Sequence, residues 1–418
     1  MNYIPHTKED ISKMLSVVGC SSLAELVSEF KPQINGKLNL ENPLSEMELV
    51  SNIKDISKKN IPMKYFIGGG AYDHYIPAVI GHLVSRGEFL TSYTPYQAEI
   101  SQGILQAMYE FQSYICLLTG MDASNASLYD GASALAEAAL LSAAYTKRRE
   151  VCIDGELNPS YRLVLQTYCQ GADLHISNDI NENTACVISQ NPDFFGNIKN
   201  SQELIEKTHK NNSLFISCIS DATSLAVLKS PGEYGADITV GEGQSFGIPL
   251  SFGGPYLGFI AVKEFLIKKL PGRIVGMTTD KNGNKGFVLT LLAREQYIRR
   301  ERATSNITTN QTLLALTATI YLATMGKKGL ENVAKASYNR AHLLRDKLNE
   351  LGFKSLNPGS FYNEFVVEAP MDSEKLLSKL RGNNILGGLD LGNNRLLVCC
   401  TEKNSPSDID RYVEAVQK

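Results

Sequence analysis

The chain has no tryptophan, no CxxC pair and no histidines spaced as HxxxH or HxH, so neither a zinc site nor a dithiol centre is written into it. Charge of one sign is also lacking. With 41 Lys and Arg against 44 Asp and Glu, no general field draws the protein to nucleic acid or to a membrane surface. No run approaches the ~20 consecutive apolar residues of a membrane span. The first ten residues hold neither a basic segment leading into an apolar core nor an arginine-rich amphipathic pattern, which predicts a cytoplasmic protein. Eight cysteines are scattered (Cys20, Cys116, Cys152, Cys169, Cys186, Cys218, Cys399 and Cys400), and the adjacency of the last two suits neither one metal nor an ordinary disulfide. Buried free thiols in a reducing compartment, and no metal, are the expectation.

What is present is chain enough for two or three domains, 418 residues with 43% hydrophobic. Residues 1–65 read as a helical arm. Thr7 with Asp10 and Ser45 with Glu48 have the spacing of capping boxes, and Ile11, Met14, Leu15 and Val18, then Leu49, Ile53 and Ile56, recur at helical intervals. From Phe66 two loops are dense in glycine and tyrosine, Gly68-Gly69-Gly70-Ala71-Tyr72-Asp73-His74-Tyr75 and Tyr93-Thr94-Pro95-Tyr96-Gln97-Ala98-Glu99. Such loops either recognise something or are stapled down by their tyrosines, and both readings stay open.

A helix spans 100–119 and stops at Gly120. Asp130-Gly131-Ala132-Ser133-Ala134 then opens an alanine-rich helix through 144. Free amides at such a start can hold a phosphate, and the same residues serve equally as caps and close-packing positions. Strand-like runs follow at 150–153, 185–189, 214–219, 236–240 and 256–262, with helices at 161–169 and 201–209. That alternation predicts an α/β fold, a mainly parallel sheet flanked by helices. Gly241-x-Gly243-x-x-x-Gly247 misses the dinucleotide spacing by one residue and opens no helix, which rejects a Rossmann site.

Residues 270–310 read as loop-rich and basic; Arg294, Arg299, Arg300 and Arg302 suit either anion contacts or a solvated helix face. A helix at 311–323 follows. Beyond Gly326 come a helix at 330–351, strands at 364–367 and 395–400, and helices at 373–380 and from Pro406. The predicted division is an arm at 1–65, a large α/β domain at 66–326 and a small α+β domain at 327–418.

Five stretches now stand together: Phe66 to Tyr75, Thr91 to Gly103, Leu118 to Asp122, the loop Val240-Gly241-Glu242-Gly243-Gln244-Ser245-Phe246-Gly247-Ile248-Pro249, and Arg294 to Asn310. In this order, over nearly the whole chain, they resemble the N-terminal half of the P-protein family of the glycine cleavage system. Those proteins are pyridoxal-phosphate-dependent glycine decarboxylases, in some organisms split into two subunits. The resemblance implies fold type I, the aspartate-aminotransferase-like architecture of pyridoxal-phosphate-dependent transferases. A site of that kind needs a lysine for the cofactor, an aspartate for its ring nitrogen and small-residue amides for its phosphate.

Carried onto this chain, the pattern puts Asp221 at the aspartate, Gly131 and Ser133 at the phosphate, and Gln244 where the lysine should be. Gly155, shortly before Asn158-Pro159, stands where the family's catalytic half has a histidine stacked on the cofactor. Glutamine forms no Schiff base. No catalytic residue is therefore expected in cis, and Asp221, Gly131 and Ser133 are expected to be vestigial, Asp221 as a strand-end cap. The resemblance further implies active sites at a dimer interface. The expected partner is a lysine-bearing second subunit that carries the pyridoxal phosphate, in a two-plus-two heterotetramer. Tyr93, Thr94, Tyr96, Glu99, Thr304, Ser305 and Asn306 are the residues expected to reach its pocket. Glycine is the implied substrate and the lipoylated H-protein the implied acceptor. The rivals are an autonomous pyridoxal-phosphate enzyme and a purely structural or regulatory subunit.

Overall fold

A computed structural model describes residues 5–30, 39–307 and 310–417. Thr308 and Thr309, inside one of the five stretches quoted above, and the first four residues lie outside the described residues. The chain divides into two compact units, Met1–Ile61 and Pro62–Lys418.

The first unit holds helices Lys8–Val18, Leu23–Leu26 and Glu46–Ser57. Both capping boxes form: the Thr7 hydroxyl accepts from the Asp10 amide while the Asp10 carboxylate accepts from the Thr7 amide, and Ser45 and Glu48 repeat the exchange. None of the residues in these helices is buried. Their order is thus set by local caps and not by a core of their own.

The second unit is built on a seven-stranded sheet. Its strand order is Ala123–Ser124, Gly258–Val262, Ile238–Glu242, Leu214–Ile219, Thr184–Gln190, Glu150–Asp154, His175–Ser177. The five strands from Ile238–Glu242 to His175–Ser177 run parallel, and the other two are antiparallel additions at one edge. Because side chains alternate along a strand, the central strands feed two cores. Val151, Ile153, Ile188, Ile216 and Val240 face the helices Gly131–Thr146 and Pro159–Gly171, whereas Cys152, Val187, Phe215 and Phe259 pack with Phe111, Ile115 and Tyr321. The alanine-rich helix Gly131–Thr146 is buried on nearly every side, which is why its sequence shows no polar face.

A second, four-stranded antiparallel sheet takes the order Lys354–Ser355, Glu364–Glu368, Arg395–Cys399, Leu389–Asp390. Helices Ser373–Gly382 and Pro406–Gln417 contribute Leu376, Leu380, Ile409 and Tyr412 to its core, and Phe66 joins them from far upstream. Two differences from the sequence reading stand out. The segment read as loop-rich contains a hairpin, Ile274–Thr279 paired with Lys285–Thr290. The helices expected at 311–323 and 330–351 are two parts of one element, Thr312–Glu350, broken at Gly326 with φ 59° and ψ −178°.

Candidate functional site

The parallel strands all end on one side of the sheet, the side on which α/β folds place their ligands. There the chain sets Gly155 after Glu150–Asp154, Gln190 at the end of Thr184–Gln190, Asp221 after Leu214–Ile219, and Gln244 after Ile238–Glu242. The glycine-rich loop 66–75 and residues of the C-terminal sheet close over these ends.

Gln244 is 1% exposed, and both ends of its amide are used. Its Nε2 donates to the Tyr72 carbonyl at 3.0 Å and to the Ile248 carbonyl at 2.7 Å, and its Oε1 accepts from the Tyr72 amide at 2.9 Å. The side chain thus holds the peptide of residue 72 much as a neighbouring strand would. Lysine has donors and no acceptor, so it cannot reproduce this pairing.

Asp221 is equally committed. Its Oδ1 accepts from the Thr223 amide at 3.0 Å, the Thr223 hydroxyl at 2.7 Å and the Ser245 hydroxyl at 2.8 Å. Its Oδ2 accepts from Asn363 Nδ2 at 2.7 Å and faces His74 Nε2 at 3.1 Å. The other ring nitrogen of His74 lies 2.7 Å from Glu402 Oε2. Burial would lower the His74 pKa, but Asp221 and Glu402 override it and hold the ring at about 10, so both nitrogens donate near neutrality. Burial likewise works to raise the two carboxyls, and the imidazolium keeps both below their ordinary range.

At the start of the helix Gly131–Thr146 two of the amides are occupied by carboxylates. Gly131 N–H donates to Glu242 Oε2 at 2.9 Å, and Ser133 N–H to its own cap Asp130 at 2.7 Å. Glu242 also accepts from the amides of Gln244 at 3.0 Å and Leu257 at 2.9 Å. Burial lifts its carboxyl to about 7 against those three bonds. A Cβ at Gly131 would collide with the Tyr161 hydroxyl, which leaves glycine as the residue that fits. At Gly155 the ammonium of Lys199 occupies the space a side chain would enter, paired with Asp193 at 3.3 Å.

A further buried group completes the closure. The Tyr72 hydroxyl lies 2.7 Å from Glu364 Oε2 and 3.1 Å from Ser220 Oγ, and Glu364 Oε1 accepts from the Gly69 amide at 2.7 Å. Glu242, Glu364, Glu402, His74, Tyr72 and Asn363 were not singled out from sequence as site residues. Glu242 had a signal, a carboxylate two residues before Gln244 in the quoted loop. The other partners are joined across as many as 328 positions, a separation no local pattern reports.

The residues expected to serve a partner lie elsewhere in the unit. Tyr93 is 86% and Tyr96 55% exposed, Glu99 is exposed and Thr94 half-buried. Tyr96 meets the edge of Tyr297 with ring centroids 6.0 Å apart, and the Arg273 guanidinium sits over it at 5.7 Å. Tyr93, Thr94 and Tyr96 line a groove of about 670 Å³ with Phe89 and Ile100. Thr304 and Ser305 are half-buried and Asn306 exposed. The Ser305 hydroxyl accepts from the Ile307 amide at 3.1 Å and eases the pKa of Glu137, which burial pushes up to about 7. Of the four arginines, Arg294 turns inward to the carbonyls of Leu270 and Gly272, while Arg299, Arg300 and Arg302 are exposed.

These residues do not fit pyridoxal phosphate. Position 244 carries no amine, Asp221 faces a protonated histidine in place of a ring nitrogen, and two of the helix-start amides already bond carboxylates. Among the described residues no cluster of His, Cys, Asp or Glu is arranged to hold a metal ion, and no helix is long and apolar enough to cross a membrane.

Comparison with known proteins agrees with this architecture. The family model described as glycine cleavage system P-protein matches residues 1–416. A probable glycine dehydrogenase (decarboxylating) subunit 1 of Chloroherpeton thalassium is 47% identical over 442 residues, covering 100% of both chains. The crystal structure of a glycine decarboxylase (P-protein) of the glycine cleavage system, in inhibitor-bound form, superposes with a TM-score of 0.92 at 41% identity over 100% of this chain and 99% of that one. A glutamate decarboxylase of Lactobacillus brevis, 11% identical with a TM-score of 0.68 over 95% of this chain and 96% of that one, shares the fold alone. The fold is therefore the α/β architecture of fold type I pyridoxal-phosphate enzymes. The chain belongs to the P-protein family of the glycine cleavage system, on the subunit 1 side of glycine dehydrogenase (decarboxylating).

Proposed function

We propose that this chain is the subunit of glycine decarboxylase that carries no cofactor and works by completing the site of a lysine-bearing second subunit. The observation that carries the reading is the Gln244 amide, bonded at both ends to backbone where the chemistry requires an amine. Pyridoxal phosphate, held by the partner, supplies the electron sink as glycine loses carbon dioxide. The remaining aminomethyl group passes to the lipoyl arm of the H-protein.

The part of this chain is to bind and orient. Tyr93, Thr94, Tyr96 and Glu99, with Thr304, Ser305 and Asn306, offer hydroxyls, an amide and a carboxylate to the partner's pocket. Exposed Tyr93, Tyr96, Ile100, Tyr297 and Ile298 beside exposed arginines have the composition of a protein interface. Two copies of each subunit, related by a two-fold axis, would close the assembly.

Glycine–bicarbonate exchange measured on each subunit alone and on the mixture tests the proposal. Exchange is expected in the mixture only. Exchange by this chain alone, or full exchange by the partner alone, would overturn it.

A further inference from the structure

We propose that the segment 68–75 is an intramolecular plug that fills the vestigial cofactor space and closes it to pyridoxal phosphate and to inorganic phosphate, so that restoring the lysine by Gln244→Lys does not restore cofactor binding. A cofactor joined to residue 244 and held by Asp221 has to lie between those two residues. In this chain that interval is spanned by one stretch of polypeptide. The Tyr72 peptide is clamped on the Gln244 amide through its N–H at 2.9 Å and its carbonyl at 3.0 Å. Two residues on, His74 is seated on Asp221 at 3.1 Å. Tyr72 and His74 are 1% and 5% exposed, so these two side chains lie within the protein, whereas Tyr75 at the end of the stretch is exposed.

The plug is anchored from both sheets. Ser220 holds it from the large sheet and Glu364 and Glu402 from the C-terminal region, with Gly69 N–H, Tyr72 OH, His74 Nδ1 and Tyr75 N–H as the groups they take. The phosphate end is closed independently, because Glu242 presents an internal carboxylate to the Gly131 amide and to two other backbone N–H groups. A phosphate arriving there meets an acceptor where it needs donors. The missing amine at 244 is thus one of several features that keep a cofactor out of this space.

The test uses the full-length chain, alone and mixed with its partner. Q244K is incubated with pyridoxal phosphate, reduced with borohydride, and the mass of this chain is read by mass spectrometry, which separates it from the pyridoxylated partner. The expected result is no adduct at residue 244. A stoichiometric adduct at that residue would overturn the proposal. Should Q244K fail to fold, the unmutated chain decides: calorimetric titration with inorganic phosphate and with pyridoxal phosphate is expected to show no saturable heat. Amide hydrogen exchange supplies a positive readout, since a buried, bonded plug exchanges as slowly as the strand Leu214–Ile219. Saturable phosphate binding, or loop-like fast exchange at the bonded amides of Gly69, Tyr72 and Tyr75, would show the space to be open.

Discussion

Replacing His74 by alanine removes the cation that bridges Asp221 and Glu402, and its cost follows from their contacts. Removing one member of a buried ion pair typically costs ~3–5 kcal/mol, because the remaining charge is left buried and unpaired. Here the two carboxylates keep other donors, Asn363, Thr223 and Ser245 on Asp221 and the Tyr75 amide on Glu402. The lower end, about 3 kcal/mol near neutral pH, is therefore expected. The sign of the pH dependence follows from linkage. In the intact protein His74 stands at about 10, above its ordinary 6.5, so its contribution is complete below 6.5 and is lost as pH rises through about 10. Asp221 and Glu402 are held below their ordinary 3.8 and 4.5, so the stability they contribute is present above those values and is lost as pH falls through the lowered ones. The deficit is therefore larger near about pH 6 than near about pH 9, where His74 in the intact protein is close to giving up its proton. Urea unfolding followed by circular dichroism at both pH values measures it. Adding Glu402→Gln should recover part of the loss. A deficit below about 1 kcal/mol at neutral pH, or one equal at both pH values, would refute the reasoning.

Glu364 rises through burial from 4.5 to about 7, so its stabilising contribution is complete below 4.5 and lost as pH rises through about 7. Glu364→Gln keeps an acceptor for Gly69 N–H, and thermal melts should show it gaining up to roughly 3 kcal/mol over the parent above about pH 7 and little below about pH 4.5. Asp130→Ala removes the cap on the Ser133 amide and should cost about 1 kcal/mol in urea unfolding. Tyr96→Ala and Glu99→Gln, both at exposed positions, should lower glycine–bicarbonate exchange of the assembled enzyme severalfold while size-exclusion profiles of the assembly stay unchanged. Unaltered exchange in both would favour a purely structural role for this chain.

Much of the fold is legible because its elements are local. The strand at 214–219 needs no correction, since an apolar run bounded by polar residues reports a fully buried parallel strand directly. The hairpin Ile274–Thr279 with Lys285–Thr290 escapes for the opposite reason. It is a two-stranded ribbon whose exposed Met277 and Lys285 break any clean alternation of apolar and polar residues. At the site, Gln244 and Asp221 are visible through the family pattern, whereas the groups that meet them are not. Glu364 meets Gly69, and Glu402 meets His74, only after the chain has folded, and a lone glutamate in sequence reads as surface. The two tyrosine-rich loops, alike on paper, part company for the same reason: Tyr72 has buried acceptors waiting for its hydroxyl, and Tyr93 is left in solvent.

Gly326 carries a consequence of a different kind. Before it, Ala315, Ala318 and Tyr321 pack beneath the seven-stranded sheet; after it, Ala341, Leu344 and Leu348 pack against the C-terminal sheet. A helix turns about 100° per residue, so the angular offset between those two apolar stripes is fixed by whatever interrupts the spiral between them. One dihedral pair does so here, in a region that only glycine enters readily, although no neighbouring atom crowds the position. Any side chain at 326 would push that residue toward ordinary helical angles and rotate one stripe away from its sheet. The phase relation between the two cores is stored in a residue where an added Cβ would meet nothing.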